Sequence, residues 1–280
     1  AMVEKAVFAA DLAHISWSNL SPIARGSILS TFVSALKNKK KLLANLVASE
    51  TGKSYKHAFG EVEGAILQGE YFAAEGMRLY GRSLTSSIDG RSSYTVRVSH
   101  GVVGLIVPAN TPIANIAWKI FPALICGNTI VLKSSEDAPE LAFKIAEIAI
   151  QSGVPKGVLN VIHGSRQTGI NLVENKTVKL ISFTGSSSAG IDIASRASKR
   201  LARASLELGG KNPLVVCNDA DLENAVKWAI LSAFSNAGQR CAAASRLIIF
   251  KEIYSRFLEL FLEKASKLKL GVSNQSDLGP

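Results

Sequence analysis

The hydrophobic positions from Val102 onward follow a regular alternation along the chain. Short runs rich in β-branched residues are each followed by a longer segment whose apolar residues recur at helical spacing. This alternation predicts an α/β protein with a parallel sheet covered by helices on both faces. The predicted strand and helix pairs are Val102–Val107 with Ile113–Ile125, Thr129–Leu132 with Pro139–Gln151, Val158–Ile162 with Thr168–Glu174, Lys179–Ser182 with Ser188–Leu201, and Pro213–Val216 with Leu222–Phe234.

Residues 22–80 show a helical pattern and are predicted to form two helices. Ser21 is the expected cap of the first helix, with Pro22 as its first residue, and the break between the helices is expected near Thr51-Gly52-Lys53. The alternation from Ser93 to Val98 predicts an exposed strand. The sequence gives no sign of catalytic residues in this N-terminal region.

The composition is that of a folded globular protein, since 47% of the 280 residues are hydrophobic and 19% are charged. The formal net charge of +10 would favour nucleic acid only if the basic residues clustered on one face. The one dense run of lysines, 37–41, falls in a predicted amphipathic helix, so we interpret it as a solvated helix face and expect no nucleic-acid partner. The residues expected to face inward on that helix are Leu36, Leu42, Leu43 and Leu46.

The cysteines and the apolar segments indicate where such a protein would be found. Cys126, Cys217 and Cys241 are odd in number and lack the spacing of metal ligands, which favours a reducing cytoplasm and no bound metal. The first residues do not show the pattern of a secretion signal. The most apolar region, 101–132, is interrupted by prolines and by Lys119, so no membrane span is expected.

A thiol and a carboxylate are the first candidates for chemistry. Cys241 follows a predicted helix end and precedes small residues that leave its sulfur approachable. Cys126 and Cys217 lie in apolar segments and are interpreted as packing residues. Glu207 lies at a strand end and precedes Gly209-Gly210, a glycine pair that allows close approach of the backbone.

Three further segments lie at predicted strand ends, where ligand sites gather in parallel sheets. Asn110 lies within Pro108–Pro112 and offers an amide that can donate to a developing oxyanion. Lys133–Glu136 follows the next strand. Phe183–Ser186 leads into a helix N-terminus of the kind that binds phosphate.

The order and spacing of these five segments resemble those of the aldehyde dehydrogenase superfamily, from about Arg25 to the C-terminus. The resemblance implies a Rossmann-like parallel sheet in the aldehyde dehydrogenase fold. It divides the chain into N-terminal helices with an NAD-binding domain, residues 1–208, and the start of a catalytic domain, residues 209–280. The implied reaction is NAD(P)-dependent oxidation of a small aldehyde to a carboxylate.

The resemblance also implies catalytic roles. Cys241 is similar to the nucleophile of the family, which forms a thiohemiacetal and then a thioester. Asn110 and the backbone N–H of Cys241 would hold the oxyanion, and Glu207 would activate the water that hydrolyses the thioester. Lys119 matches a family lysine near the asparagine, and Trp118 is expected to line the substrate tunnel.

A nicotinamide cofactor is implied in the same way. Lys133 and Glu136 match the positions that bind the adenosine ribose, and a carboxylate there repels a 2′-phosphate, so NAD is expected over NADP. Gly185 and Ser186 match the turn that holds the pyrophosphate. The full set of expected cofactor-binding residues is Val107, Pro108, Lys133, Ser135, Glu136, Phe183, Thr184, Gly185, Ser186, Glu207, Leu208 and Gly209.

The chain departs from the family in three ways. Ala109 replaces the usual tryptophan, so the tunnel mouth is expected to be wider or differently shaped. Arg166 stands where many members have a glycine, which would alter the adenine contacts or add a hold on phosphate. Family members are nearly twice as long, so the rest of the catalytic domain is expected to be absent and the isolated chain inactive. The full-length protein is expected to form a homodimer or homotetramer.

Two alternatives remain open. The segments His163–Arg166 and Gly238–Cys241 look somewhat like those of semialdehyde dehydrogenases that transfer the acyl group to coenzyme A. Glu207 argues against this reaction, because acylating members generally lack the base that hydrolyses the thioester. The second alternative is a fragment without catalytic activity that serves as a structural or interaction module.

Overall fold

The computed structural model of the protein describes residues 2–271 and 276–279. Its helices are α1 (Met2–Asn19), α2 (Pro22–Asn38), α3 (Lys40–Thr51), α4 (Tyr55–Glu75), α5 (Pro112–Ile125), α6 (Pro139–Gln151), α7 (Arg166–Glu174), α8 (Ser187–Ser198), α9 (Leu222–Phe234) and α10 (Tyr254–Ser266). Its strands are β1 (Ser83–Thr85), β2 (Ser92–Tyr94), β3 (Val102–Ile106), β4 (Thr129–Lys133), β5 (Leu159–Ile162), β6 (Val178–Gly185), β7 (Arg203–Leu208), β8 (Asn212–Val216) and β9 (Ala244–Ile249).

A five-stranded sheet forms the centre of the molecule, with the strand order β5-β4-β3-β6-β7. All its neighbouring strands are parallel, which confirms the α/β fold predicted from the alternation of strands and helices. The chain builds the sheet from β3 outward to β5 and then crosses to the other side of β3 to form β6. The strand order therefore reverses between β3 and β6, and at such a point the connections diverge and leave a crevice at the strand ends.

Helices cover both faces of this sheet. On one face, Val103 and Leu105 of β3 belong to the same apolar cluster as Ile120 and Phe121 of α5, together with residues of α2 to α6. On the other face, Val102 packs in a cluster formed mainly by α1, α7, α8 and the strands. Because successive residues of a strand point to opposite faces, the near-continuous apolar strands of the sequence supply both cores.

The strand predicted at Pro213–Val216 does not join the central sheet. It is part of β8, which pairs in parallel with β9 in a separate two-stranded sheet. A third apolar cluster holds this pair against α9 and α10, and its buried members are Val216, Val226, Ala229 and Phe257. The expectation that one sheet carries all the site segments is therefore wrong, because the period of a strand does not reveal which strand it pairs with.

The N-terminal region differs from its prediction. Residues 22–80 form three helices rather than two, because the chain breaks near Lys39 as well as at Gly52, where φ is +71°. The expected cap is confirmed, since the Ser21 side chain accepts the Ala24 N–H over 3.1 Å. Leu42 is 45% exposed, so its expected inward position is wrong.

The lysine run lies at the junction of α2 and α3 and is partly paired. Lys37 donates to Glu70 over 2.7 Å and Lys40 to Glu63 over 2.9 Å, and both carboxylates belong to α4. These pairs are largely exposed, so each contributes little to stability. None of the four lysines is buried, in agreement with their interpretation as a solvated helix face.

Two further N-terminal elements were not predicted in their observed form. Helix α1 buries Val3, Val7 and Ala10 beneath the second face of the sheet. The strand expected at Ser93–Val98 is limited to Ser92–Tyr94, which pairs antiparallel with β1 in an exposed hairpin.

The apolar region 101–132 forms β3, α5 and most of β4, and most of its side chains are buried in the core. Pro112 begins α5, and Pro122 lies within that helix. None of the helices within residues 2–271 and 276–279 combines the length and the hydropathy needed to traverse a bilayer.

Arg25 connects three helices through a buried guanidinium. Its side chain on α2 is 5% exposed. Nε donates to the carbonyl of Ile125 over 3.0 Å, and Nη1 donates to those of Ser18, over 3.2 Å, and Leu20. Burial lowers the pKa of this guanidinium from its usual range. The cation thus satisfies carbonyls at the ends of α1 and α5 that their helices leave unpaired.

Replacing this guanidinium should destabilise the fold without changing its surface. Arg25→Met keeps an apolar stem but leaves several buried carbonyls without donors, so the free energy of unfolding should fall by about 2–4 kcal/mol. Urea unfolding followed by circular dichroism measures the change. The exposed Arg91→Met is the matched control and should stay within about 0.5 kcal/mol. Equal stability of the two variants would contradict the assigned role of Arg25.

Candidate active site

The crevice between β3 and β6 collects several of the segments that the sequence identified. Val107 and Pro108 follow β3 directly, and Lys133 is the last residue of β4. Gly185 ends β6, and Ser186 caps α8 by accepting a backbone hydrogen bond from its first turn. Because parallel strands end at the same edge of a sheet, these segments lie along one edge.

A hydrogen bond brings the cysteine segment to this edge. Nδ2 of Asn110 donates to the backbone carbonyl of Gln239 over 2.7 Å, and Gln239 lies two residues before Cys241. A carboxamide has two N–H groups, so a second donor remains on Asn110 after this bond is made. The structure thus brings the expected oxyanion donor and the expected nucleophile into one site.

The backbone of Asn110 is held by groups that the sequence did not indicate. Its carbonyl accepts from Nζ of Lys53 over 2.8 Å and from Nδ2 of Asn236 over 3.1 Å. Lys53 also forms a buried ion pair with Glu61, with an N–O distance of 2.6 Å. The other oxygen of Glu61 accepts the backbone N–H of Ile113 over 3.0 Å, in the first turn of α5.

The Lys53–Glu61 pair therefore fixes the junction between Asn110 and α5. Burial lowers the pKa of Lys53, and the charge of Glu61 opposes this shift. Nothing in the local pattern predicted the pair, because Lys53 lies in a turn and Glu61 is a polar position of an ordinary helix. Asn236 could have been identified from the sequence, since it lies only five residues before Cys241.

The segment between α9 and Cys241 has an unusual backbone. Asn236, Ala237 and Gly238 all have left-handed φ values, of 56°, 54° and 71°. Residues other than glycine adopt this conformation at a cost of about 1–2 kcal/mol each, and it persists where surrounding contacts enforce it. Here the side chain of Asn236 is buried, and it donates to the carbonyls of Asn110 and Gln239.

Cys241 itself is exposed and its thiol is accessible. Its backbone carbonyl accepts from Nδ2 of Asn212, which ties it to the start of β8. Within residues 2–271 and 276–279, its backbone N–H has no hydrogen-bond acceptor. A backbone donor beside the candidate nucleophile is therefore left without a partner in the described residues.

Glu207 and Lys119 share the face of the sheet that α5 covers. Glu207 of β7 is paired with Thr184 of β6, and Ser182 lies two residues earlier on the same face. Nζ of Lys119 donates to Oγ of Ser182 over 2.8 Å. Burial lowers the pKa of Lys119 to about 8, while the nearby negative charge of Glu207 raises it. The Glu207 side chain is exposed near the end of its strand.

The edge of β4 carries a cation and a carboxylate. Nζ of Lys133 donates to the carbonyl of Ser134 over 2.9 Å, and burial lowers the pKa of Lys133 while Glu136 raises it. Ser135 bonds to Asp137, and Glu136 is exposed. Together with the exposed N-terminus of α8 at Ser186, these residues fit a dinucleotide, with a pyrophosphate at the helix and a ribose at the carboxylate.

Close packing holds Leu208 and Gly209 in place, and both are expected cofactor-binding positions. A methyl group added to Gly190 of α8 would come within 2.6 Å of Leu208, so the helix lies directly on β7. The N–H of Gly209 donates to the carbonyl of Gly185 over 3.3 Å, which keeps the two strand ends together. The side chain of Phe183 is buried in the core cluster beneath this edge of the sheet.

The structure shows where several other side chains of interest lie. Trp118 is 51% exposed on α5. Arg166 is exposed at the start of α7 and pairs with Asp192 over 3.2 Å. Cys126 and Cys217 are exposed, so their interpretation as packing residues is wrong. Cys126 directly follows α5 and Cys217 directly follows β8, so each cysteine lies just beyond an apolar run.

Known proteins are similar to this chain over nearly its whole length. The profile of the Aldehyde dehydrogenase family matches residues 1–280. D-glyceraldehyde dehydrogenase (NADP(+)) of Thermoplasma acidophilum is 39% identical over 279 residues, which are 99% of this chain and 57% of that protein. The α-ketoglutaric semialdehyde dehydrogenase of Bacillus subtilis is 38% identical over 281 residues, with 99% and 58% covered.

Solved structures have the same fold. An NADP-dependent enzyme of E. coli is 37% identical and superposes with a TM-score of 0.98, over 100% of this chain and 59% of that one. Betaine aldehyde dehydrogenase of Staphylococcus aureus, solved with NAD+, gives 0.97 at 33% identity, over 99% and 56%. The chain thus spans less than three-fifths of the length of these relatives. The family match over all 280 residues and the shared fold show that the chain belongs to the aldehyde dehydrogenase family.

Proposed function

We propose that this chain supplies the cofactor site and the nucleophile of an enzyme that oxidises an aldehyde to a carboxylate with NAD(P). The observation that carries the proposal is the hydrogen bond from Asn110 to Gln239, which sets an amide donor beside the Cys241 segment. We assign residues 1–208 to the N-terminal helices and cofactor domain and residues 209–280 to the start of the catalytic domain. The separate β8–β9 sheet and its own apolar cluster support this boundary.

The reaction would begin at Cys241. Its thiolate attacks the carbonyl carbon of the aldehyde, and the C=O π electrons move to oxygen to give a thiohemiacetal oxyanion. The free N–H on Asn110 and the backbone N–H of Cys241 would both donate to that oxygen. The hydrogen bonds to the Asn110 carbonyl would keep the donor in place, so that little reorganisation is needed as charge develops.

A bound nicotinamide would accept the hydride that leaves the thiohemiacetal carbon. Glu207 would then take a proton from water, whose oxygen attacks the thioester carbon while the Cys241 sulfur departs as the thiolate. The products are the carboxylic acid, which ionises, and the restored nucleophile. The negative charge of Glu207 raises the pKa of the buried Lys119, so the two groups lie close enough for their charges to interact.

For the cofactor, we propose NAD, with NADP as the alternative. The exposed carboxylate of Glu136 at the end of β4 would repel a 2′-phosphate and bind ribose hydroxyls. The names of the Thermoplasma and E. coli relatives, both NADP enzymes, support the alternative, as does the exposed cation of Arg166.

For assembly, we propose a homodimer or homotetramer of the complete enzyme. The hairpin β1–β2 and the segment after it expose apolar side chains to an extent that a monomer would rarely leave open. These side chains are Leu84, Tyr94, Val96 and Val98.

Removing the thiol tests the nucleophile. In the complete enzyme, meaning this chain followed by the rest of the catalytic domain, Cys241→Ala should abolish aldehyde oxidation because no covalent intermediate can form. Binding of NAD, measured by calorimetry, should be nearly unchanged. Cys217→Ala is the matched control, because Cys217 is also exposed, and it should stay active, as should Cys126→Ala. Inactivation by iodoacetamide with label on Cys217 and none on Cys241 would refute the assignment.

Removing the side-chain amide tests the oxyanion donor. Asn110→Ala should lower kcat by about 100- to 1000-fold, which is typical for the loss of one such donor. Cofactor affinity should hardly change, since the side chain contacts the cysteine segment. Steady-state kinetics of the complete enzyme measure kcat, and a loss in kcat of less than about fivefold would exclude this role for Asn110.

Glu207→Gln separates hydrolysis from transfer to coenzyme A, because the two reactions share every step up to the thioester. With its base removed, the complete enzyme should release one NADH per active site in a burst and then stall before deacylation. Stopped-flow absorbance at the NADH band measures the burst. Coenzyme A should leave the wild-type rate unchanged. Normal steady-state turnover of the variant would rule out Glu207 as the base, and strict dependence of the wild type on coenzyme A would establish the acylating reaction.

A further inference from the structure

The direction in which Asn110 points its carboxamide decides whether it can serve as an oxyanion donor. One end of a carboxamide only donates and the other only accepts, while the two orientations occupy nearly the same volume. Shape therefore does not select between them, and hydrogen-bond partners must. An Asn110 turned by half a rotation would present an oxygen to the oxyanion, and the interaction would become repulsive.

We propose that Asn115 is a positioning residue that fixes the orientation of the Asn110 carboxamide. The proposal rests on the function proposed for Asn110. Asn115 lies one turn into α5 and is 2% exposed. Its Nδ2 donates to Oδ1 of Asn110 over 3.2 Å, and also lies 3.0 Å from both the backbone carbonyl and the hydroxyl of Thr111.

Two backbone carbonyls determine the orientation of both amides. A backbone carbonyl can only accept, so the group of Asn115 that faces the Thr111 carbonyl must be its NH2. The same NH2 faces Asn110 and therefore requires an oxygen there. At the other end, the carbonyl of Gln239 requires the NH2 of Asn110. Both ends of the chain of contacts thus demand the same orientation.

The reversed orientation of Asn110 would lose a hydrogen bond at each end. The Asn110 oxygen would face the carbonyl oxygen of Gln239, and its NH2 would face the NH2 of Asn115. Because Asn115 is buried, water cannot readily restore the bond lost at its end, and an unsatisfied buried group costs about 1–3 kcal/mol. Asn115 thereby keeps the donor end of Asn110 directed to the Cys241 segment throughout turnover.

Asn115→Asp reverses this preference with almost no change in size. An ionised carboxylate only accepts, so Asn110 would turn its NH2 towards it and away from the thiol. In the complete enzyme, kcat should fall by about 100- to 1000-fold, as for loss of the donor itself. KM for the cofactor should not change. Asn115→Leu, which imposes no orientation, should fall between the Asp variant and the wild type. Asn45→Asp, an exposed site on α3, controls for the added charge and should keep full activity.

A double-mutant cycle distinguishes positioning from a general structural role. If Asn115 acts only through Asn110, then Asn115→Asp in the Asn110→Ala background should change kcat by less than about twofold. A purely structural defect would multiply the two losses. The same coupling should be visible in this chain without turnover, as a shift of the Asn110 side-chain amide signals in ¹⁵N-resolved NMR of the Asn115 variants.

The outcomes separate the two proposals. A loss from Asn110→Ala of about 100-fold or more, with Asn115→Asp and Asn115→Leu both near wild type, would overturn the role of Asn115 and leave that of Asn110 intact. Multiplicative losses in the double variant would also overturn it. A negligible effect of Asn110→Ala would remove the oxyanion donor and, with it, the reason for positioning it.

Discussion

The hydrogen bond between the Asn110 side chain and the Gln239 carbonyl is the contact on which the site depends. It joins a loop of the central sheet to the segment that leads into the second, smaller sheet. Several groups near Cys241 hold one side of this contact or the other. Lys53 and Asn236 hold the Asn110 backbone, Asn115 orients its amide, and Asn212 binds the carbonyl of Cys241. The site is therefore built from a connected set of polar contacts, several of them partly buried, in which the loss of one bond affects its neighbours.

Much of the central fold could be predicted, because the patterns that determine it lie among neighbouring residues of the chain. The β-branched runs and the helices after them fix both the element type and the two-sided burial of the sheet, and the bounds of α6 and α9 agree with prediction to the residue. The candidate segments could be located for the same reason. A polar residue that interrupts an apolar run at a strand end, such as Lys133 or Glu207, stands out in the sequence itself.

The remainder could not be predicted because it depends on partners that are distant in sequence. Glu61 is an ordinary polar position on a helix until Lys53 and the first turn of α5 are placed beside it. The pairing of β8 with β9 leaves no local signal, since any strand of that period could have extended the main sheet. Lys39 breaks a helix without glycine or proline, and the exposed Cys126 follows an apolar run that ends one residue earlier.

The left-handed backbone at Asn236 and Ala237 sets the stability of the fold against a fixed conformation of the segment before Cys241. Glycine at 237 would relieve the steric cost of that conformation, so the folded chain has not taken an available route to greater stability. The same substitution would give the peptide before the thiol many more conformations. A chain selected only for thermal resistance would therefore be expected to gain glycine at position 237. Its segment before Cys241 would then be held less firmly in one conformation.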